Sequence, residues 1–435
     1  MLDDLRRAAA RQRAERALRR LQQGCLRLAS DHGELDGMAI AGELIGLIAE
    51  LDDPHLDAFF DFLAARLDPD PAAVLERAEA YAAQPGASTL IALTEAVEPP
   101  RQELLRRLNR VSGGTAAVLR LRRRLLERLP VHPELAAIEA DLLHLLGSWF
   151  NPGFLQLRRV DWNSRAMLLE KIIHHEAVHA IDGWDDLRRR LQPDRRCFAF
   201  FHPQLRDEPL IFVEVALLPE MPAAIAPLID KASAPLAPDQ FRVAAFYGIS
   251  NCEPGLRGVS LGNFLIKTVA TQLQAELPRL KSFCTLSPLP GFARWLLNGP
   301  DFGSLPGLSR DAAVGLRQAV ETLQTRCGGE LGTLQRAAAH DKLGAEGDAA
   351  LRLLASAYLL HLSPTPAGDP VARFHLDNGA RLERLNLRGN MSTHGLRQSF
   401  GVMVNYLYDL DQIEANHERF VKGEVNAARA VRGLF

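Results

Sequence analysis

The stretch spanning residues 246–295 constrains the chain most. It reads FYGISNCEPGLRGVSLGNFLIKTVATQLQAELPRLKSFCTLSPLPGFARW. An apolar run at 243–249 has the composition of a strand. Gly255, Gly258 and Gly262 open the segment that follows, and residues 262–277 have the spacing of an amphipathic helix. Leu261, Leu265, Val269 and Leu273 form its buried ridge. A second short strand, 283–286, ends at Ser287-Pro288. A strand, a glycine-rich turn and a helix N-terminus make an anion cradle, because unpaired backbone N–H groups and the helix dipole both favour negative charge. The sequence therefore predicts a phosphorylated ligand held at Arg257, Gly258, Val259, Ser260, Leu261, Gly262 and Asn263, with Ser287 beside it. A tight turn that packs a helix closely on a strand is the plain alternative for this loop.

The chain has 435 residues, 47% hydrophobic and 24% charged, which suits more than one packed domain and argues against disorder. Its net charge of -2 gives no reason to expect nucleic acid or an anionic membrane as partner. The basic runs Arg122–Arg124 and Arg188–Arg190 lie in helical patterns and read as solvated helix faces. Five cysteines, odd in number and without a CxxC pair, predict buried thiols in a reducing cytoplasm. Cys284 reads as a core thiol on a strand. Charges break the long apolar stretches, so no membrane-spanning helix is expected. The Arg/Ala-rich N-terminus carries Asp3, Asp4 and Glu15, unlike a transit peptide, and the expectation is a cytoplasmic protein.

Residues 1–148 read almost wholly as helix. At 53–67, Asp53-Pro54 supplies cap and first-turn signals, and Leu56, Phe59, Phe60, Leu63 and Leu67 fall on one face. Similar runs without a fixed period predict a helical bundle rather than a solenoid. From residue 149 strands and helices mix: strands near 155–160, 197–201, 210–217 and 243–249, and helices near 164–179 and 183–191. Asn378-Gly379 carries the signature of a two-residue hairpin turn, with His375 on its first strand. The predicted class is α+β, with an all-helical domain over 1–148, in an oligomerisation or support role, and a catalytic domain over 149–435.

Three segments carry chemistry. His175-Glu176-Ala177-Val178-His179 matches the zinc-peptidase pattern, in which i and i+4 imidazoles share a helix face. Asp182 and Asp185 occupy the metzincin glycine and histidine positions, and neither Asp185 nor the distal Glu208 makes a persuasive third ligand. A helix end with half-buried histidines is the better reading, and no metal is predicted. The second segment is the loop from Arg257 to Asn263. The third is Ser287 with His375, a hydroxyl and an imidazole that form an acid–base pair only if the fold joins them.

Read in order, the motifs resemble the malonyl-CoA decarboxylase family. They include Ser148-Trp149-Phe150-Asn151, Glu176-Ala177-Val178-His179, Gly255-Leu256, Gly258-Val259, Leu261-Gly262, Phe264-Leu265-Ile266-Lys267, Leu286-Ser287-Pro288, Phe374-His375-Leu376 and Asn378-Gly379-Ala380. The resemblance implies a helical domain followed by a GNAT-like acyl-CoA-binding α/β domain. It implies conversion of malonyl-CoA to acetyl-CoA and carbon dioxide by Ser287 and His375, with CoA pyrophosphate on the loop Arg257 to Asn263. CoA belongs to the substrate, so no separate cofactor is implied, and a homo-oligomer, dimer or tetramer, is the implied assembly. The family shares Glu-Ala-Val-His without the preceding histidine, so His175 completes the zinc pattern by chance. Ser260 departs from the family, where a carboxylate often stands, and a three-member relay through that position is not expected. A GNAT-type N-acyltransferase, a zinc peptidase and a non-catalytic acyl-CoA sensor are the competing readings.

Overall fold

A computed structural model describes residues 2–29, 34–259, 261 and 265–434. Ser260, Gly262 and Asn263 of the predicted loop lie outside the described residues. The chain divides into two compact units. The first comprises residues 1–156 together with 202–208 and 253–260; the second comprises 157–201, 209–252 and 261–435.

The first unit is built from helices. The longer ones are Leu2–Ala29, Glu34–Glu50, Asp53–Arg66, Pro71–Ala83, Ala87–Val97, Pro100–Asn109, Gly114–Arg128 and Ala136–Trp149. Phe59, Phe60, Leu104, Leu125, Leu142 and Leu146 are buried among them. The cap of Asp53–Arg66 is Asp52, one residue before the predicted position; its carboxylate accepts from the His55 N–H and Pro54 sits in the first turn. Arg123 and Arg124 of the first basic run are exposed and half-exposed, as expected, but Arg122 is not solvated. It is buried, paired with Glu139 at 2.6 Å, and donates to the carbonyl oxygens of Gly255 (2.5 Å) and Arg257 (2.7 Å). Successive helical residues point about 100° apart, so one member of a basic run can face inward while its neighbours face out.

The second unit is organised on a seven-stranded sheet: β1 (Gln156–Val160), β2 (Arg195–Phe201), β3 (Pro209–Leu218), β4 (Val243–Asn251), β5 (Ser282–Thr285), β6 (Arg381–Asn386) and β7 (Met403–Tyr408). Their order is β1-β2-β3-β4-β5-β7-β6. β2, β3 and β4 pair antiparallel, β4 and β5 parallel, and β7 runs antiparallel to both β5 and β6. β2 is buried throughout and β3 nearly so. Such strands read as continuous apolar runs rather than alternating ones. The parallel pair needs a crossover, which the helix Leu265–Glu276 supplies.

Two features of the sheet place the site. The register of β4 shifts opposite Glu214 and Val215, leaving Tyr247 as the extra residue of a bulge. The β4–β5 register runs only to Phe246↔Thr285. Beyond it Leu286 still donates to the Phe246 carbonyl, but Ser287 exchanges both backbone hydrogen bonds with Val404 of β7 (2.8 and 2.9 Å). β5 therefore parts from β4 where Ser287 begins.

The structure corrects the expected hairpin. His375 lies on a helix, Pro370–Asp377, with Asp369 as N-cap and Pro370 at the first turn. Asn378-Gly379 ends this helix instead of turning a hairpin. Gly379 has φ of +76°, the Gly379 N–H donates to the Leu376 carbonyl, and the Ala380 N–H to that of His375. Left-handed glycine after a helix is a C-cap. A Cβ on Gly379 would lie 2.2 Å from the Ile413 carbonyl oxygen. Gly379→Ala is expected to destabilise the protein by at least about 1–2 kcal/mol, the cost of a left-handed residue with a side chain. Urea unfolding measures this, and an unchanged midpoint would contradict the cap assignment.

Candidate active site

Ser287 and His375 meet. Ser287 is placed by its backbone ladder with Val404, and His375 by the last turn of its helix. Oγ and Nε2 are 2.9 Å apart, and both residues are buried. Ser287 Oγ also lies 2.9 Å from Thr285 Oγ1, which accepts from the Tyr406 N–H at 3.2 Å. Thr285 and Ser287 share a face because strand side chains alternate. On the other side of the ring, Nδ1 is 2.9 Å from the Tyr408 hydroxyl. The Tyr406 ring stacks on the imidazole, centroids 4.7 Å apart and planes 27° from parallel.

Burial pushes the His375 imidazole down to about 3, so it is neutral at physiological pH. A neutral imidazole has one N–H. If Tyr408 donates to Nδ1, then Nε2–H donates to Ser287 and the Ser287 hydroxyl donates to Thr285. If Nδ1–H donates to Tyr408, the direction reverses and Ser287 donates to Nε2. Tyr408, His375, Ser287 and Thr285 thus form one hydrogen-bonded chain that can run either way. Cys284, one residue before Thr285, has its thiol pushed up to about 12 by burial, so it is a core residue and not a nucleophile.

The loop before the crossover helix is held from one side. Glu253 accepts from the Gly255 N–H, and a Cβ on Gly255 would lie 2.4 Å from the Leu119 carbonyl oxygen. Together with the two Arg122 hydrogen bonds, these contacts fix the loop at Gly255 and Arg257. Gly258 takes φ of +82°. Arg257 and Gly258 are exposed, and Val259 and Leu261 are buried.

The histidine-rich segment lacks the geometry of its pattern. The helix expected to reach residue 179 is Ala166–His175, so Glu176 to His179 are not helical and the i, i+4 face does not exist. Glu176 instead accepts from the N–H groups of Val178 and His179 and from the Ser250 hydroxyl, tying this segment to β4. Among the described residues no cluster of three or more His, Cys, Asp or Glu could hold a metal ion. The second basic run is also partly internal. Arg190 is buried against Asp186 (2.9 Å) and Glu214 (3.1 Å), and Arg189 against Asp194 (2.8 Å).

Three partners of the pair do not stand out in the sequence reading. Thr285 and Tyr408 have readable signals: Thr285 is two residues before Ser287, and the alternation Tyr406-Leu407-Tyr408 puts two tyrosines on one strand face. Tyr406 stacks only because the His375 helix packs there, which nothing local announces.

A mixed sheet carrying a buried serine–imidazole pair, preceded by an all-helical region, defines a two-part α+β protein. The match to known proteins is specific. Family models described as the malonyl-CoA decarboxylase N-terminal and C-terminal domains match residues 67–150 and 153–435. The mitochondrial malonyl-CoA decarboxylase of Rattus norvegicus is 33% identical over 409 residues, covering 90% of this chain and 81% of that protein. That of Anser anser anser is 35% identical over 335 residues, covering 74% of this chain and 66% of that protein. The crystal structure of malonyl-CoA decarboxylase from Rhodopseudomonas palustris is 47% identical, with a TM-score of 0.82, covering 95% of this chain and 98% of that one. The chain belongs to the malonyl-CoA decarboxylase family.

The buried titrating groups set a pH dependence of stability. His375 and His179 are both pushed down by burial to about 3, from an ordinary 6.5. Their contribution is present above pH 6.5 and is lost as pH falls, because the unfolded chain binds protons that the fold refuses. Glu214 is pushed up by burial to about 8 from 4.5, so its contribution is lost as pH rises through that window. Two histidines outweigh one glutamate below 6.5, and the glutamate acts alone above it. The urea midpoint should rise from pH 4.5 to about 6.5 and decline towards 8. A midpoint that falls steadily over the lower interval would contradict neutral burial of the two histidines.

Proposed function

We propose that this chain decarboxylates malonyl-CoA to acetyl-CoA and carbon dioxide, with Ser287 and His375 acting on the malonyl group. The observation that supports this most directly is the buried 2.9 Å contact between Ser287 Oγ and His375 Nε2. Loss of the carboxylate leaves two electrons on the α-carbon. The thioester carbonyl accepts them as an enolate, so the reaction itself calls for no thiamine, pyridoxal or metal. Three tasks fall to the protein: to orient the C–C bond perpendicular to the carbonyl plane, to stabilise the enolate oxygen with donors, and to protonate the carbon.

His375 supplies the proton, directly from Nε2 or through the Ser287 hydroxyl. In the free site burial keeps the ring neutral. A bound malonyl carboxylate brings negative charge to it, which favours the imidazolium. When carbon dioxide leaves, that charge moves into the enolate and the proton follows it to carbon, giving the acetyl methyl group. The ring takes this proton from solvent when the malonyl carboxylate binds, which supplies the one proton the reaction consumes and leaves the imidazole neutral again at product release. CoA pyrophosphate lies on the loop Arg257, Gly258, Val259, Ser260, Leu261, Gly262 and Asn263, where glycine allows close backbone approach and Arg257 supplies charge. The β4–β5 register ends at Phe246↔Thr285, and the acyl arm enters between the two strands there.

The helical region, 1–148, serves assembly. The helices Pro71–Ala83 and Ala87–Val97 bury none of their side chains, and Leu75 and Ile91 are 60% and 58% exposed. A second copy of the chain covers this apolar hairpin in a homo-oligomer, dimer or tetramer. Among the described residues no helix is long and apolar enough to cross a membrane. Five free thiols, four of them buried, fit the reducing cytoplasm.

His375→Asn and Ser287→Ala should each bind malonyl-CoA but form acetyl-CoA about 10²–10⁴-fold more slowly than the unaltered protein. Acetyl-CoA formation from purified protein and malonyl-CoA, with no amine acceptor added, measures this. Near-normal turnover by either variant would remove that residue from the mechanism, and turnover only with an amine present would indicate an acyltransferase.

A further inference from the structure

One buried carboxylate is bonded both to the segment that leaves Ser287 and to the helix that carries His375. Asp369 is 1% exposed. Its Oδ1 accepts from the N–H groups of Val371 (2.9 Å) and Ala372 (3.1 Å), the first turn of the His375 helix. Its Oδ2 accepts from the N–H of Gly291 (3.0 Å), four residues after Ser287, and lies 3.4 Å from the Tyr358 hydroxyl. The approach is close: a Cβ on Gly291 would lie 2.2 Å from the Tyr358 hydroxyl and 3.4 Å from Asp369 Oδ2. Gly291 is therefore glycine for contact and not for backbone conformation. Its φ is -93°, open to any residue.

We propose that Asp369 is a positioning residue for the reaction: by joining the Gly291 backbone to the first turn of the His375 helix, it sets the distance between Ser287 and His375. The helix is eight residues long, too short to hold itself in water. Its far end is fixed by the Gly379 cap, and Asp369 fixes its near end. Ser287 needs no such help, because its backbone is pinned to Val404 of β7. The movable partner is His375, and reacting groups must be held to about 0.5 Å. Capping alone does not require aspartate here. A cap uses one oxygen, and asparagine or serine caps as well as aspartate. The tether uses the second oxygen, and only a carboxylate offers two acceptors.

This inference rests on the assignment of Ser287 and His375 as the reacting pair. The test is a double-mutant cycle on the full-length chain, with acetyl-CoA formation, substrate KM and thermal unfolding measured for Asp369→Asn, Asp369→Ser, Ser287→Ala and the Asp369→Asn/Ser287→Ala double variant. Asparagine and serine both keep the cap and lose the tether. The expected result for both is a fall in kcat of about 10–100-fold with KM unchanged, the scale of an ångström-sized misplacement. In the Ser287→Ala background, Asp369→Asn should lower kcat by less than about twofold, because a residue that acts through the pair has nothing left to position. Normal kcat in both Asp369 variants, or a loss that repeats in full in the Ser287→Ala background, would overturn the proposal. So would failure of the capped Asp369→Asn variant to fold, since the carboxylate would then serve stability and not site geometry. Full activity of Ser287→Ala would instead remove the underlying assignment of the pair.

Discussion

The hydrogen bond between Ser287 and His375 joins residues 88 positions apart. Each of the nearby structural features serves one end of it. Ser287 reaches its place because β5, which already pairs with β7 at Phe283 and Cys284, keeps that neighbour at Val404 after its register with β4 ends at Thr285. His375 reaches its place through a two-turn helix, capped by Asp369 at one end and Gly379 at the other. Tyr406 and Tyr408, two residues apart on β7, then close over and beside the imidazole. Desolvation is the common consequence. It removes the charge from the ring and makes the pair sensitive to any charge a ligand brings.

The β2–β3 part of the sheet is maintained differently. Arg190 with Asp186, and Arg189 and Arg195 with Asp194, are buried ion pairs, and Arg190 also donates a hydrogen bond to Glu214. Such pairs repay their desolvation only when well bonded, and their loss is costly because it strands a charge. They fix how the helix Gly183–Arg190 seats on β2 and β3. Glu176 does the same for the segment after His175, bonding it to Ser250 of β4. The motif that resembled a zinc site is thus a clamp on the strand that precedes the glycine loop.

Much of this was legible in the sequence, for physical reasons that differ by element. The helices of the first region follow from apolar spacing and Asp-Pro caps. The strands β2 to β5 follow from apolar runs bounded by turn residues. Ser287 and His375 could be named as a candidate pair from residue type alone, but only the resemblance to a family set them above the other candidates, since a serine before proline and a lone histidine carry no spacing signal. The His375 helix was misread because Asn-Gly serves both hairpin turns and helix C-caps. Asp369-Pro370, the same cap signal that marks helices in the first region, would have decided it. The buried arginines were missed because a basic run says nothing of which turn of the helix faces inward. Tertiary packing alone determines that.

The ionisation state of His375 tests the account most directly. Imidazole ¹⁵N spectra, with the resonance assigned by its loss in His375→Asn, report whether the ring is charged. The account predicts that the ring in the free protein stays neutral from pH 8 down to about 5 and shows no titration near 6.5. It predicts that a malonyl thioester analogue unable to lose carbon dioxide converts it to the imidazolium at pH 7. Titration near the ordinary value in the free protein, or a ring still neutral with the analogue bound, would contradict it.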